Sequence, residues 1–458
     1  MTHGQLADVV AIGANDTIAA IATTPGRGAL AMVRLSGPDV RTLAARLLDP
    51  APRELRHATR CIVRGETGES IDEIVATLFV APHSFTGEDM LEMSTHGGLV
   101  APVAVLAAAI QAGAREALPG EFTRRAVLHG KLDVLQAEAI GDLIDARSGA
   151  AHRAALRQLD GGLTRRAVAL REQVVAVEAL LAYDIDFPEE DDGPITPTRI
   201  TEAAAAALAD VRTLLATGAA GTLVHEGALI VLAGPPNAGK SSLFNALLGE
   251  ARAIVTETPG TTRDAIEAVL DRDGWPLRLV DTAGLRLSDE PVERLGIEVS
   301  ARYLARATVV LGCVDDDRSI EIVRALIEAH TKAPILIVRT KGDLAACSDE
   351  PAEGILVSAV SGRGVGRLLE RIDAMVRATA GEVVPDAPGL TRARHRAAVT
   401  SAVHELEQFL DAWRSGAIPA VASATHVRAA GAALGELIGA VRTDDVLNAV
   451  FRTFCVGK

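Results

Sequence analysis

A glycine-rich segment in the middle of the chain has the spacing of a phosphate-binding loop. The run GPPNAGKS at 234–241 fits G-x-x-x-x-G-K-S, and it stands between a strand-like run, LIVLA at 229–233, and a helix-like run. Backbone N–H groups at such a helix start point at phosphates, and Gly234 and Gly239 permit the tight wrap. Lys240 supplies positive charge to the β- and γ-phosphates, and the Ser241 hydroxyl is a ligand for Mg²⁺. The segment predicts a nucleoside triphosphate site whose loop contacts are Asn237, Ala238, Gly239, Lys240, Ser241 and Ser242.

Further motifs follow in the order that a guanine-nucleotide domain requires. DTAG places Asp281 at a strand end, where it can hold the Mg²⁺ shell through water, and Gly284 can give its N–H to the γ-phosphate. TKGD at 340–343 follows another strand, and Asp343 can accept two hydrogen bonds from guanine that adenine does not offer. TKGD by itself is more often a surface turn, but in register with the other motifs it favours GTP over ATP. The predicted base contacts are Thr340, Lys341, Asp343, Ser358 and Ala359, and Thr340 stands where many proteins of this class carry Asn.

The residues that would position the attacking water differ from those of Ras-like domains. Ras-like domains place Gln directly after DxxG to orient the water, whereas this chain has Leu285, which cannot hydrogen-bond. Water positioning must therefore come from elsewhere, and the acids of the segment RLSDEPVERLGIE are candidates. No arginine finger is identifiable, and a monovalent cation can stand in for one, because the transition state lacks positive charge near the β–γ bridge.

Length and composition indicate a globular protein of several domains. The chain has 458 residues, which at the usual domain size predicts about three domains. Hydrophobic residues make up 48% and charged residues 23%, an ordinary globular composition. The formal net charge of −14 argues against a general nucleic-acid coat, although a local basic patch can still bind RNA. Aromatic residues make up 3%, too few for an extended platform for stacked bases.

Cysteine usage and the N-terminal sequence favour a cytoplasmic protein. Cys61, Cys313, Cys347 and Cys455 are scattered, and the chain has no C-x-x-C pair, so neither a structural zinc site nor a disulfide framework is expected. The N-terminus lacks a basic stretch followed by an apolar core, so no signal peptide is predicted. The alanine-rich runs are interrupted by charge, and no membrane span is predicted.

Patterning along the chain predicts a multidomain fold with an α+β N-terminal domain, an all-α helical domain and an inserted α/β P-loop GTPase domain. The predicted boundaries are 1–128 for the first, 129–224 and 381–458 for the two helical parts, and 225–380 for the GTPase domain. Strand-like runs alternating with helices favour a doubly wound parallel sheet in 225–380. Two apolar stripes at helical spacing mark the helical parts: Leu156, Leu159, Leu163, Ala167, Leu170, Val174, Val177 and Leu181, then Val399, Val403, Leu406, Leu410 and Trp413. Gly161 and Gly162 interrupt the first stripe and argue against one unbroken helix.

With these residues in view, the whole chain resembles the tRNA-modifying GTPases of the MnmE (TrmE) family. The shared motifs beyond the nucleotide site are SFTGEDMLEMSTHGG at 84–98, PGEFTRRAVLHGKLDVLQAEAIGDLIDA at 119–146, GTTRD at 260–264, DTAGLR at 281–286 and FCVGK at 454–458. The long middle block and the terminal motif are the most specific, and they separate this family from other P-loop GTPases such as ribosome-assembly factors.

The resemblance implies a potassium-dependent GTPase. The family binds K⁺ between paired GTPase domains, and its ligands correspond here to Asn237, Thr256, Thr258 and Thr261. The ion does the work of an arginine finger. Thr262 corresponds to the threonine that completes the Mg²⁺ shell with Ser241, and Glu293 corresponds to the catalytic acid that acts on the attacking water at a distance. Thr256, Thr261 and Thr262 are also expected to contact GTP.

The resemblance further implies a folate site, a catalytic cysteine and a homodimer. The N-terminal domain of the family dimerises and binds 5-formyltetrahydrofolate or a related tetrahydrofolate, and the corresponding residues are Arg34, Glu92, Lys131 and Lys458. Cys455 occupies the essential cysteine position, where a thiol can act as nucleophile, once deprotonated, or as proton donor.

A basic cluster at Arg392, Arg394, His395 and Arg396 can contact tRNA phosphate, with a solvated helix face as the alternative.

The implied reaction is installation of an aminomethyl or carboxymethylaminomethyl group at C5 of the wobble uridine, position 34 of tRNA. By the same resemblance, an FAD-dependent partner protein supplies the redox step, and the two proteins form a heterotetramer. Two alternatives stay open: a switch GTPase in ribosome assembly without modification chemistry, and a folate-binding one-carbon protein whose GTPase domain is regulatory. Ribosome-assembly GTPases usually append an RNA-binding module, and no such module follows residue 380.

Overall fold

The computed structural model describes residues 16–186, 196–250, 253–254, 266–272, 275–281, 301–344, 353–380, 389–416, 419–439, 454 and 456–457. The chain forms two compact units, the first comprising residues 1–141 with 438–458 and the second comprising residues 142–437. The predicted division at residues 128, 224 and 380 is a finer one, and it stays a prediction.

The first unit is built on a seven-stranded sheet with the order β3-β4-β5-β6-β2-β1-β7. All its neighbours run antiparallel except β1 and β7. The strands are β1 (Ile18–Ile21), β2 (Leu30–Ser36), β3 (Leu48–Asp49), β4 (Thr59–Arg64), β5 (Ser70–Phe79), β6 (Met90–His96) and β7 (Arg115–Glu116). The helices are α1 (Val40–Leu47), α2 (Ala101–Ala112) and α3 (Glu121–Leu128), and α4 (Val134–Asp145) follows.

Strand alternation divides the first unit's apolar side chains between two clusters. Ala19 of β1 belongs to the main core, which α1 and α2 cover, while Ile18 and Ala20 pack with Phe122 of α3 on the opposite face. The register of β2 against β6 sets Arg34 directly opposite Glu92. Two predicted folate residues are therefore cross-strand neighbours.

A buried ion network ties the start of β1 to α3. The Glu121 carboxylate accepts hydrogen bonds from Arg115 at 2.7 and 3.0 Å, from Arg125 at 3.0 Å and from the Leu118 N–H at 2.8 Å. Burial raises the pKa of Glu121, but these donors outweigh burial and leave the pKa below its usual value. The pKa of Asp16 is lowered in the same way, because Arg115 and Arg125 outweigh the effect of its burial.

The second unit contains a seven-stranded sheet with the order β14-β13-β12-β8-β11-β10-β9. The first five strands of this order are parallel, and β10 and β9 continue the sheet in antiparallel pairing. The strands are β8 (Ala228–Ala233), β9 (Ala253–Ile254), β10 (Ile266–Arg272), β11 (Trp275–Asp281), β12 (Val309–Val314), β13 (Ile335–Arg339) and β14 (Ile355–Leu356). The predicted inserted α/β domain is confirmed, and the antiparallel strands β9 and β10 were absent from the prediction.

Helices cover both faces of this sheet. Ile230 and Leu232 of β8 belong to one apolar cluster, and Leu229 and Val231 belong to the other, so the strand is buried on both sides. A strand buried in this way reads as a continuous apolar run, which is why the sequence predicted it. The covering helices are α9 (Lys240–Glu250), α10 (Ile320–Glu328), α11 (Val365–Ala380) and a helical segment at 301–306.

The helical part of the second unit consists of long packed helices. Its members are α5 (Gly149–Leu159), α6 (Gly162–Asp186), α7 (Pro197–Ala216), α8 (Gly218–Glu226), α12 (Ala393–Ser415) and α13 (Ala420–Ile438). The predicted break is confirmed, because α5 ends before Gly161, whose φ of +75° is left-handed. Leu156 was wrongly assigned to the buried stripe: it is 40% exposed, because the break at Gly161 changes the face that α5 presents.

One apolar stretch among the described residues, Pro197–Glu226, is long and apolar enough to cross a membrane by length and composition, with a mean hydropathy of 1.2. Core helices pass the same test, so the finding is weak evidence for a span. Within this stretch Ile200, Val211 and Leu214 are fully buried, and α7 packs against α6 and α12.

Candidate functional site

The predicted phosphate-binding loop connects β8 to α9, and its backbone has the conformation that its glycines allow. Gly234 has a φ of +151°, and a Cβ there would lie 2.2 Å from the carbonyl oxygen of Cys313. Gly239 has a φ of +77°, and a Cβ there would lie 3.2 Å from the Thr340 hydroxyl oxygen. Asn237 is left-handed without being glycine, with a φ of +62°. The loop is therefore closely apposed to both β12 and the 340–344 loop.

The loop's two reactive side chains face oxygen-rich surroundings. Lys240 donates to the carbonyl oxygens of Gly234 at 2.9 Å and Pro235 at 2.7 Å. Ser241 donates to the Asp281 carboxylate at 2.5 Å, although 40 positions separate the two residues. A hydroxyl and a carboxylate brought together in this way are ligands of the kind that Mg²⁺ prefers, so the donor set fits this ion.

The thiol of Cys313 lies beneath the loop and takes no part in this chemistry. Burial raises its pKa to about 12, and the charge of Lys240 opposes the shift. The protonated thiol is neither a nucleophile nor a metal ligand at neutral pH.

The predicted base-recognition residues meet at the ends of β13 and β14. The Asp343 carboxylate accepts a hydrogen bond from the Ser358 hydroxyl at 2.8 Å, which fixes its orientation. The Ser358 N–H donates to the Arg363 carbonyl oxygen at 3.0 Å, so Ala359 offers the remaining predicted N–H for the guanine O6. Lys341 has a left-handed φ of +57° and forms an ion pair with Asp315 at 2.9 Å.

Thr340 joins the base-recognition loop to the phosphate-binding loop. Its hydroxyl donates to the Ala238 carbonyl oxygen at 2.7 Å and also lies 3.1 Å from the Val314 carbonyl oxygen. The Thr340 N–H donates to that same Val314 oxygen at 2.8 Å. With 6% of its surface exposed, Thr340 is a buried connection between two loops that are 102 positions apart.

These residues line one cavity of about 580 Å³. The predicted residues that line it are Asn237, Gly239, Lys240, Ser241, Ser242, Thr340, Lys341, Asp343 and Ala359. Ala238 lies behind the lining, only 1% exposed. Leu344 and Val360 also line the cavity and are 77% and 85% exposed, which the sequence reasoning missed. Their positions directly after TKGD and after the Ser358–Ala359 pair were the available signal.

A second site of interest lies on the sheet of the first unit, around Arg34. The guanidinium donates to the Glu92 carboxylate at 3.0 Å and to the Gly457 carbonyl oxygen at 3.3 Å. It lies 5.9 Å from the ring centre of Phe85 and 5.7 Å from that of Phe122, within the range of cation–π attraction. Its Nε is buried and has no hydrogen-bond partner among the described residues.

Phe454 and Gly457, near the C-terminus, pack against the N-terminal part of the first unit. Phe454 packs with Val127, Val134 and Ala137. Gly457 has a φ of +92°, and a Cβ there would lie 2.5 Å from the carbonyl oxygen of Ile21. Lys131, another predicted folate residue, donates to the Pro82 carbonyl oxygen at 3.0 Å, on the segment that leads to Phe85.

The suggested basic cluster at the start of α12 is largely engaged in contacts within the protein. Arg392 forms an ion pair with Asp142, Arg394 donates to the Glu436 carbonyl oxygen at 3.3 Å, and His395 is fully buried. Only Arg396 of the four is exposed. The four residues do not form one exposed basic patch, because α12 turns them towards different neighbours.

Several predicted site residues lie outside the described residues. They are Thr256, Thr258, Thr261, Thr262, Gly284, Glu293, Cys455 and Lys458. The predicted roles of these residues stay predictions.

Comparisons with known proteins match nearly the whole chain. Residues 17–131 match the family model of the GTP-binding protein TrmE N-terminus, and residues 134–455 match that of the MnmE helical domain. The tRNA modification GTPase MnmE of Moorella thermoacetica is 39% identical, with 97% of this chain and 100% of that protein covered. The protein of the same name from Bordetella parapertussis is 41% identical, with 96% and 99% covered.

Solved structures give a more distant match. The G domain of the T. maritima FeoB iron transporter is 26% identical and covers 33% of this chain and 99% of its own, with a TM-score of 0.27.

Proposed function

The chain belongs to the MnmE family of tRNA modification GTPases. From this premise we propose that it is a K⁺-dependent GTPase. Together with an FAD-dependent partner, it modifies C5 of the wobble uridine of tRNA. A tetrahydrofolate supplies the one-carbon unit, and GTP hydrolysis drives a conformational cycle. The homodimer, the heterotetramer with the partner and the cytoplasmic location belong to the same proposal.

The observation that carries the nucleotide part is the single cavity that brings Lys240 and Asp343 together. Lys240 supplies charge for the phosphates, and Asp343, oriented by Ser358, supplies acceptors for the guanine edge. When bound, Mg²⁺ would be held by Ser241, with Thr262 completing its shell, and it would neutralise charge on the phosphate oxygens.

The potassium part rests on Asn237 and on Leu285. Asn237 sits exposed in the phosphate-binding loop with a left-handed backbone, and its amide oxygen is a suitable ligand for an alkali ion. Leu285 cannot orient water, and the family resemblance assigns this task to Glu293, which we propose acts on the attacking water at a distance. When bound, K⁺ supplies the positive charge that an arginine finger supplies elsewhere. Its other proposed ligands are Thr256, Thr258 and Thr261.

A comparison of salts tests the potassium part. We expect GTP turnover to rise when Na⁺ is replaced by K⁺ at equal ionic strength. In a separate measurement with GDP and a phosphoryl-transfer mimic bound, we expect the GTPase domains to pair in K⁺. Equal turnover and an unchanged sedimentation profile in the two salts would contradict the proposal.

The folate part rests on the surroundings of Arg34. An arginine whose Nε is buried without a partner among the described residues, beside Glu92 and two aromatic rings, fits a planar ligand with anionic and hydrogen-bonding edges. Arg34 and Lys131 would pair with acceptors of the folate, and Glu92 would accept from the pterin N–H groups. When bound, the folate would supply the one-carbon unit.

The catalytic cysteine is proposed from its neighbours in the chain. Phe454 and Gly457 both dock on the first unit, and Gly457 accepts from Arg34. Cys455 and Lys458 are adjacent in sequence to these anchored residues, which supports a role for both close to the folate. We propose that Cys455 acts as nucleophile or proton donor in the modification.

A homodimer is supported by an exposed apolar patch on the first unit. Leu30, Leu99, Val100 and Val103 are between 55% and 78% exposed. Leu30 pairs with His96 of the neighbouring strand β6, and His96 is followed directly by the loop that carries Leu99. Patches of this kind mark contact surfaces in soluble proteins.

The decisive experiment is mass spectrometry of the wobble nucleosides of tRNA from cells that lack this chain. We expect the C5 modification to be lost, to return with the unsubstituted chain, and to be absent with Cys455→Ser while GTP hydrolysis persists. Intact modification in cells lacking the chain would favour the alternative, a switch GTPase in ribosome assembly. Full modification with Cys455→Ser would remove the direct role of this thiol.

A further inference from the structure

Arg125 is the most extensively bonded buried cation among the described residues of the first unit. Its side chain is 6% exposed and donates to the carboxylates of Asp16 at 2.6 Å, Glu121 at 3.0 Å and Glu88 at 3.1 and 3.2 Å. It also donates to the backbone carbonyl of Asp16 at 2.9 Å. Asp16 and Glu88 lie 109 and 37 positions away from Arg125, whereas Glu121 lies four positions before it on α3, so Arg125 joins two distant segments to its own helix.

One of these segments is the loop that carries Phe85. Glu88 lies three residues after Phe85, and besides Arg125 it accepts a hydrogen bond from Ser36 at 2.7 Å. Ser36 shares a further hydrogen bond of 2.7 Å with Thr86, next to Phe85. The loop is thereby fastened on both sides of its turn.

The other relevant segment is α3, which carries Phe122 one helical turn before Arg125. Phe122 is fully buried, and it flanks the Arg34 guanidinium together with Phe85, at 5.7 and 5.9 Å. Arg34 precedes Ser36 by two positions on β2, so the two side chains lie on the same face of the sheet. Arg125 thus binds the loop that carries Phe85, and it belongs to the helix that carries Phe122.

We propose that Arg125 and Glu88 are positioning residues for Arg34: their ion pair holds Phe85 and Phe122 beside its guanidinium, which then presents its donors in one orientation. This inference rests on the proposed folate site and names the residues that preorganise it. Preorganisation strengthens binding, because the ordering of a long side chain and of a loop is completed before the ligand arrives.

The first test needs no ligand. Hydrogen exchange followed by mass spectrometry is compared for residues 80–89 in the full chain and in Glu88→Gln. The amide keeps the shape of the side chain, but it replaces an acceptor oxygen with an NH₂ group that faces the Arg125 donors. We expect exchange of this loop to accelerate about tenfold, as for loss of a charge-assisted hydrogen bond.

Glu73→Gln is the matched control, because Glu73 pairs with Arg60 on exposed surface of the same unit. It should leave exchange at 80–89 unchanged. If Glu88→Gln exchanges there at the rate of the unsubstituted chain, the proposed bracing is wrong.

The second test asks whether Glu88 acts through Arg34. Binding of 5-formyltetrahydrofolate is measured by calorimetry for Glu88→Gln, Arg34→Met and the double variant. We expect Glu88→Gln to weaken binding about fivefold to tenfold, as for a site that has lost its preorganisation. The double variant should bind no more weakly than Arg34→Met, whereas a merely structural role would give additive losses.

The outcomes of the two tests separate the two proposals. Additive losses, or unweakened binding by Glu88→Gln, would overturn the positioning role. If the unsubstituted chain does not bind the folate, the folate proposal fails, and accelerated exchange in Glu88→Gln would still establish the bracing of the Phe85 loop.

Discussion

Replacement of Thr340 by Val tests the connection between the two nucleotide-binding loops. Valine has nearly the shape of threonine, so the substitution removes the hydroxyl without opening a cavity. The lost bond is the 2.7 Å contact to the Ala238 carbonyl oxygen, made by a residue that is 6% exposed. The Val314 carbonyl oxygen keeps its donor, because the residue 340 N–H bonds to it at 2.8 Å. The free-energy cost of removing the hydroxyl therefore falls on the phosphate-binding loop alone.

Leaving a buried carbonyl oxygen without a hydrogen-bond donor costs about 1–3 kcal/mol of free energy. If the loop must recover its order when nucleotide binds, a cost of about 1.4 kcal/mol weakens binding about tenfold. We expect Thr340→Val to weaken GDP and GTP binding by about this factor, measured by titration with a fluorescent guanine nucleotide. Preference for guanine over xanthine should be unchanged, because Ser358 and not Thr340 orients Asp343.

Thr340→Ser is the matched control, because serine keeps the hydroxyl and loses only a methyl group. It should bind nucleotide within about fourfold of the unsubstituted chain, since one buried methyl group contributes about 0.8 kcal/mol. Binding by Thr340→Val within twofold of the unsubstituted chain would refute the reasoning, as would an equal loss in Thr340→Ser.

Three further substitutions probe other parts of the molecule. Asp343→Asn should shift nucleotide preference from guanosine towards xanthosine, because the amide reverses part of the donor pattern; undiminished GTP preference in a competition assay would contradict this. Gly234→Ala should abolish measurable GTP binding while circular dichroism stays native, because the new Cβ would meet the Cys313 carbonyl oxygen at 2.2 Å; native affinity would show that the loop relaxes. Glu121→Gln should lower the free energy of unfolding by about 3 kcal/mol at pH 7, because it breaks a buried ion network. The lowered pKa values of Glu121 and Asp16 stabilise the fold above the unfolded value of about 4, and this contribution disappears as pH falls through the folded values. The difference between Glu121→Gln and the unsubstituted chain should therefore narrow below about pH 4 in urea titrations, and a constant difference would contradict the assignment.

The elements that the sequence predicted best are those with local signals. The run LIVLA at 229–233 was predicted to be strand-like, and β8 spans Ala228–Ala233. Strands buried on both faces need apolar side chains at every position, so the signal does not depend on the partner strand. The phosphate-binding loop was predictable for a similar reason, because its glycines meet backbone requirements within a few residues.

The sequence reasoning failed where a residue's environment depends on distant segments. The antiparallel strands β9 and β10 were missed, because their pairing is a property of the sheet and not of their own composition. Leu156 has the spacing of a core residue, but it is exposed. His395 stands in a run of charged residues that is typical of a surface helix, but it is fully buried. In both cases the neighbouring helices decide the burial.

The sequence by itself determined the class of the protein and most of the residues that line the proposed nucleotide cavity, because the motifs require only short stretches of chain with definite backbone geometry. Only the tertiary structure decided how Arg34 is held. Glu92 lies 58 positions away from it and Gly457 lies 423 positions away, and both become its partners through strand register and the docking of the C-terminal segment. The same holds for Arg125, whose charge in a buried site is tolerated because folding brings the carboxylates of Asp16 and Glu88 to it, beside Glu121 of its own helix.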